Sequence, residues 1–191
     1  MLTIIGTMKK KIIFILNPIS GTVSKAGIPK LIEERLDKET FDYDIAETEY
    51  AGHATELAKK AAEKGVDIVV AIGGDGTVNE VGRALINTET AMAILPCGSG
   101  NGLARHLRLP MNLKKCIDII NMCDIHSLDY GIINQHPFFC TCGMGFDAFI
   151  SMKFANAGKR GPITYVQQVL EEGVKYVPET YEIEDEDGIQ H

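Results

Sequence analysis

DIVVAIGGDGTVNEVGRAL, residues 67–85, runs from a continuous apolar segment through a glycine-rich turn carrying one acid into a segment of helical spacing. The apolar run reads as a buried strand, and Val78, Val81 and Leu85 recur on one face of the helix that follows. The same alternation extends in both directions. KIIFIL (11–16), FDYDIAE (41–47) and TAMAILP (90–96) read as strands, and the stretches near 25–37, 53–64, 77–87 and 112–122 read as helices. In the second of these, Leu57, Ala58, Ala61 and Ala62 share a face while Glu56, Lys59, Lys60 and Glu63 lie elsewhere, as a helix packed on a sheet requires. Strand and helix in strict succession predict an α/β fold with a parallel sheet and right-handed crossovers. Ligands of such sheets collect at the carboxyl ends of the strands.

Beyond residue 123 the rhythm changes. IHSLDYGII, NQH and PFFCTC form two strands around a short loop, which predicts an antiparallel hairpin. Helices are expected at 146–155 and 162–176, with one further strand at YEIE. The chain is therefore divided into an α/β domain over 9–123 and the start of a second, β-rich domain over 124–191. That second domain is expected to be incomplete, because too few residues remain for one of ordinary size.

The net charge of −7 is concentrated at one end: residues 179–191 hold six acids and no Lys or Arg, leaving 19 basic against 20 acidic residues elsewhere, or −1. A near-neutral body argues against broad nucleic-acid binding. No apolar stretch approaches the ~20 residues that span a bilayer. The early basic cluster follows a short apolar run, the reverse of a secretory signal. A cytoplasmic protein is expected, with Arg105, Arg108, Lys153, Lys159 and Arg160 available for peripheral approach to an anionic inner membrane face. Five cysteines without a secretory signal read as reduced, buried structural thiols.

Four loops follow the four strands: NPISG (17–21), ETEYAGHA (47–54), GGDGT (73–77) and PCGSGNG (96–102). In a parallel sheet they converge on one edge. Gly73, Gly74 and Gly76 permit positive φ and leave backbone N–H groups bare for phosphate oxygens. Thr77 and Glu80 have the spacing of a capping box. Asp75 is the anomaly, since a carboxylate beside a phosphate repels it unless a divalent cation or a substrate proton intervenes. The second loop, with Gly98, Gly100 and Gly102 around Ser99 and Asn101, also suits oxygen-rich ligands ahead of a short helix carrying Leu103 and Leu107. Two such loops on one edge point to a polyphosphate. No Walker-type G-x-x-x-x-G-K-[ST] occurs, and the near-match to a dinucleotide fingerprint at Gly143, Gly145 and Ala148 follows a hairpin strand instead of opening a βαβ unit.

Asn17-Pro18, Ser20-Gly21, Thr48, Gly52-His53-Ala54, GGDGT with Asn79-Glu80, and PCGSGN together resemble the diacylglycerol kinase catalytic-domain family, which includes bacterial lipid kinases, sphingosine kinases and ceramide kinases. The resemblance covers roughly residues 9–170. It implies an ATP-binding α/β domain joined to a β-sandwich lipid-binding domain, and Mg2+-dependent transfer of the γ-phosphoryl group of ATP to a lipid hydroxyl at a membrane surface. It implies that Asn17, Ser20, Thr48, Gly74, Gly76, Thr77, Gly98, Ser99, Gly100 and Asn101 line the nucleotide. Asp75 would be the key acid, either taking the hydroxyl proton or holding metal-bound water, with no direct protein-only metal site. Many bacterial members carry Asp where this chain has Gly102; the GSGNG form is closer to the sphingosine and ceramide kinase branch. There the acid matching Asp147 lies where a sphingoid amine is recognised, so Asp147 is a substrate candidate beside its simpler reading as a helix N-terminal acid. Asp129, at the start of the hairpin, is a second substrate candidate or an exposed strand residue. A homodimer is compatible with this picture. An NAD kinase-like enzyme, which shares GGDGT, and a non-catalytic nucleotide-binding fragment are the alternatives.

Overall fold

The computed structural model describes residues 8–21, 24–156, 169, 173 and 176–189. Four parallel strands form the sheet: β1 (Lys10–Leu16), β2 (Phe41–Glu47), β3 (Ile68–Gly73) and β4 (Ala91–Pro96), in the order β2-β1-β3-β4. β3 is buried at all six positions, as its unbroken apolar sequence requires of a strand with neighbours on both sides and helices over both faces. The helices are α1 (Ile28–Arg35), α2 (His53–Glu63), α3 (Asp75–Leu85), α4 (Gly102–His106) and α5 (Leu113–Met122).

Two apolar clusters fill the two sides of the sheet. Phe14, Val70, Ile72 and Leu95 pack with Ile28 and Ile32 of α1 and Ile117 of α5. Ile15, Val69 and Ala71 pack with Ala54, Ala58 and Ala61 of α2, Val78 and Val81 of α3 and Leu103 of α4. Full burial of one Val or Leu side chain stabilises by about 1.5–3 kcal/mol, so the alternating faces of β1 and β3 hold the helices on both sides. The small alanine face of α2 lets it lie close against α3.

β1 sits between β2 and β3, so the chain leaves β1 in one direction and returns on its other side. That reversal opens a crevice at the carboxyl ends of β1 and β3, the place where open α/β sheets bind ligands. Asn17 N–H continues the ladder by donating to Ile72 C=O (2.9 Å), and Cys97 N–H donates to Gly73 C=O (2.8 Å). The loops after β1, β3 and β4 are thus held side by side.

The hairpin expected after residue 123 is present but short: β5 (Gly131–Ile133) pairs antiparallel with β6 (His136–Phe138) across Asn134 and Gln135, both at positive φ. It docks on α3, where the bare Cα of Gly82 lies under the Phe139 ring and Arg83 Nε donates to Pro137 C=O (3.0 Å). The strand expected to reach Cys142 ends at Phe138, and Cys140 at φ 112° is incompatible with a regular ladder. The chain divides into two compact units, Met1–Thr141 and Cys142–His191. In the second, α6 (Phe146–Asn156) presents Phe146 and Phe149 to Tyr176, with ring centroids at 5.2 and 5.5 Å. The helix expected over 162–176 falls outside the described residues, apart from helical positions at Val169 and Gly173, and the YEIE strand is a single bridge position at Glu184.

Candidate functional site

The two glycine loops touch through bare backbone. A Cβ on Gly74 would lie 3.1 Å from Gly98 Cα, and one on Gly98 would overlap Gly74 Cα and come within 2.9 Å of Asn101 Oδ1. None of Gly73, Gly74 or Gly76 has positive φ, which corrects the sequence expectation: Gly73 and Gly74 are required for close approach. Gly73 leaves room for the Thr77 side chain. Gly76 differs from both, because among the described residues nothing beyond its own helix backbone and chain neighbours lies within 4 Å of where its Cβ would stand. On that side of the first turn of α3 the described residues leave the Gly76 backbone uncovered.

Asp75 closes the arrangement. Its Oδ2 accepts the Asn101 N–H (3.0 Å) and its Oδ1 accepts the Gly102 N–H (2.6 Å), so one exposed carboxylate from the start of α3 binds the start of α4. A Cβ on Gly100 would stand 2.7 Å from Asp75 Oδ2, which accounts for glycine there as well. Asn101 adopts the left-handed conformation (φ 54°), and its side chain accepts from Gly98 N–H (2.8 Å) and donates to Gly98 C=O (2.9 Å). It is buried and fully engaged in shaping its own loop. Ser99 is exposed at the tip between them.

On the other flank, Asn17 Nδ2 donates to Thr77 Oγ1 (3.0 Å) and Asn17 Oδ1 accepts Ile19 N–H (3.1 Å). Ser20 is buried and donates to Asn17 C=O (3.1 Å), while Lys25, also buried, donates to Ser20 C=O. Gly21 (φ 64°) lies directly against the carbonyl of Cys97, where any side chain would overlap it. Thr48 is buried after β2, with its N–H on Leu16 C=O (2.9 Å). NPISG, GGDGT and PCGSGNG therefore form one continuous surface.

Thr77 and Glu80 do not form the expected capping box. The helix starts earlier, with Gly74 as its N-cap and Asp75 in its first turn, which places Thr77 inside the helix. Glu80 instead reaches the neighbouring helix: its Oε2 accepts Ala54 N–H (3.2 Å) and its C=O accepts Thr55 Oγ1 (3.0 Å). This long-range cap serves α2, whose own N-cap residue is Gly52 at φ 90° with no side chain to supply an acceptor. His53 opens α2, accepts Glu49 N–H on Nδ1 (3.1 Å) and stacks on Tyr50 at 4.5 Å.

Asp129 is exposed, two residues before β5. Asp147 lies in the second unit, in the first turn of α6, with its carboxylate turned over Gly143. The cysteines are all free but not all buried. Cys97 and Cys116 are buried, Cys123 is intermediate, and Cys140 and Cys142 are exposed, since the strand that would have covered them ends early. Burial pushes the Cys97 thiol up, against a smaller opposing effect of Lys25, and pushes Cys116 up to about 11. Among the described residues no group of three or more His, Cys, Asp or Glu could hold a metal ion, and no helix is long and apolar enough to cross a membrane. A cavity of about 710 Å³ lies away from the glycine loops, between β4, α5 and the extended chain around Ile125.

A family model described as the diacylglycerol kinase catalytic domain matches residues 11–133, which hold every one of these loops. The chain belongs to the diacylglycerol kinase catalytic domain family. It is 34% identical over 134 residues to a diacylglycerol kinase of Staphylococcus saprophyticus, covering 69% of this chain and 44% of the relative. It is 31% identical over 140 residues to a diacylglycerol kinase of Bacillus subtilis, covering 71% and 46%. A solved structure described as a diacylglycerol kinase from Bacillus anthracis str. Sterne superposes with a TM-score of 0.59 at 28% identity, over 69% of this chain and 49% of that one. The chain thus spans about half the length of these relatives. Within the family domain, sequence reasoning missed the Glu80 cap and two basic residues. Lys25 drew no reading from the sequence and Arg105 read as a surface charge, yet Lys25 donates to Ser20 C=O and Arg105 Nε to Gly100 C=O (2.8 Å).

Proposed function

We propose that this chain carries the nucleotide-binding half of an ATP-dependent lipid kinase that transfers the γ-phosphoryl group to a lipid hydroxyl. The observation that carries the reading is Asp75 fastened between two interlocked glycine loops, beside open space at the first turn of α3. Membership of the family supports it. Bare amides at Gly74 and Gly76 are suited to phosphate oxygens, and the positive end of the α3 dipole adds to that attraction.

Phosphoryl transfer needs in-line positioning, charge neutralisation and a group to receive the hydroxyl proton. Asp75 is assigned the last of these, or the orientation of a water on the metal. Mg2+ would be held mainly by the nucleotide's own oxygens, with Asp75 as the protein carboxylate at hand, a donor set that suits an ion accustomed to one or two carboxylates plus phosphates. Bound there, it would supply electrostatic stabilisation of the transferring charge. Asn17, Ser20 and Thr48 are placed along the nucleotide, and Gly98, Ser99 and Asn101 at its phosphates. Residues from 124 onward begin the lipid-binding domain, with Asp147 and Asp129 as substrate-facing acids.

The test is ATP binding by calorimetry, followed by ADP release with diacylglycerol, a sphingoid base, ceramide or NAD offered separately. ATP binding with turnover on a lipid alone supports the reading. Turnover on NAD would move the chain to another acceptor class, and binding without any turnover would leave it a nucleotide-binding fragment.

A further inference from the structure

We propose that Arg105 binds the terminal phosphate of the nucleotide, as a second charged group opposite Asp75; this rests on the ATP-site reading above. Arg105 stands in the last turn of α4, one helical turn beyond Asn101, whose C=O accepts the Arg105 N–H (2.9 Å). Its Nε donates to Gly100 C=O (2.8 Å). The other side of Gly100 faces Asp75, whose Oδ2 would be 2.7 Å from a Cβ placed there. A single glycine therefore separates the guanidinium from the carboxylate.

Among the described residues the remaining guanidinium donors have no hydrogen-bond partner. Arg105 is exposed and forms no ion pair among the described residues. An arginine whose stem is fixed by Nε and whose two terminal nitrogens are left over presents a fork matched to phosphate oxygens. Lys25, the other basic side chain at these loops, is buried and turned to the Ser20 carbonyl. A triphosphate lying on the amides of GGDGT brings several negative charges to this edge, and Asp75 adds one more. Arg105 supplies the opposite sign next to Gly100, where the transferring group would meet Asp75. The contact belongs to the terminal phosphate, so ADP should feel it little.

The experiment is equilibrium binding of ATP and ADP to the 191-residue chain and to R105A, R105Q and R105K, with circular dichroism and thermal melts as fold controls. Loss of a charge-assisted hydrogen bond to phosphate should weaken ATP binding by about tenfold or more in R105A, while ADP affinity shifts by less than about threefold. R105Q keeps a donor toward Gly100 C=O without the charge and should remain weak for ATP. R105K keeps the charge without the fork and should recover part of the loss. Recovery of full ATP affinity in R105Q, or equal losses for ATP and ADP, would overturn the assignment and leave Arg105 a strap for its loop. If R105A does not fold, the R105Q and R105K comparison still decides. Absence of ATP binding by the unaltered chain would remove the ATP-site reading itself, a result separate from any effect of the substitutions.

Discussion

Replacing Gly98 with alanine puts a methyl group where the two glycine loops meet. Its nearest neighbours are Gly74 Cα, which is backbone, and Asn101 Oδ1, whose side chain is held by two hydrogen bonds to Gly98. The first contact is about 1 Å short of a normal carbon–carbon separation, so the loops must part by that amount. Overpacking of this kind costs about 1–3 kcal/mol, and for a chain of this length each kcal/mol lowers Tm by about 2–4 °C. A displacement of about 1 Å at a reacting site can cost ~100-fold in rate. Gly76→Ala is the matching control: its Cβ meets no described residue within 4 Å outside its own helix backbone and chain neighbours, and the residue lies in the first turn of α3. There alanine should leave stability unchanged or raise it by up to about 1 kcal/mol. The same methyl would stand in the space assigned to phosphate, so ATP affinity should fall about tenfold or more, or about 1.4 kcal/mol. Thermal melts and calorimetric ATP titrations of both variants separate the two effects. A Gly98→Ala protein with unaltered Tm, or a Gly76→Ala protein that binds ATP like the parent, would refute the reasoning at that glycine.

Asp75→Asn keeps one acceptor for the amides of Asn101 and Gly102 but loses the charge, so folding should survive while the lipid phosphorylation we propose falls by orders of magnitude; near-normal turnover would remove its assigned role. Glu80→Ala removes the side-chain acceptor at Ala54 N–H of α2 and should cost about 0.5–2 kcal/mol in urea unfolding, whereas Glu80→Gln should retain most of the stability. Alkylation followed by mass spectrometry should label Cys140 and Cys142 first and Cys97 and Cys116 only after unfolding; prompt labelling of Cys116 in the folded chain would contradict its burial. Because the Cys116 thiol is pushed up to about 11 from an ordinary value of 9.0, its folded form holds the proton longer than the unfolded one. Its contribution to stability is therefore complete below pH 9 and lost as pH climbs toward 11, which denaturation at graded pH will read.

The sheet was legible because its determinants are local. Four short apolar runs, each followed by a segment of helical spacing, dictate parallel strands, and the order of the loops dictates that they share an edge. Asp75 and the glycines around it stood out for the same reason: a carboxylate set between residues without Cβ has few structural uses. What the residues did with one another was less legible. The pair Thr77 and Glu80 has capping-box spacing, but α3 begins at Gly74 and Glu80 finds its partner 26 residues away in α2. The glycines suggested backbone freedom, whereas their role is to let Gly74 and Gly98, distant in sequence, come into contact. Arg105 looked like an ordinary exposed charge because its partner, Gly100 C=O, is a backbone group that no side-chain pattern reveals. Likewise, Cys140 and Cys142 alternate like strand residues, yet the left-handed conformation at Cys140 ends the ladder before them.

A titration of the isotopically labelled chain with ATP, followed through backbone amide shifts, tests the central claim most directly. The largest changes are expected at Gly74, Asp75, Gly76 and the Gly98–Asn101 loop, with β2 and the outer turns of α5 unaffected. Changes confined to the cavity of about 710 Å³ lined by Leu85, Met92 and Ile120, or no changes at all, would contradict it.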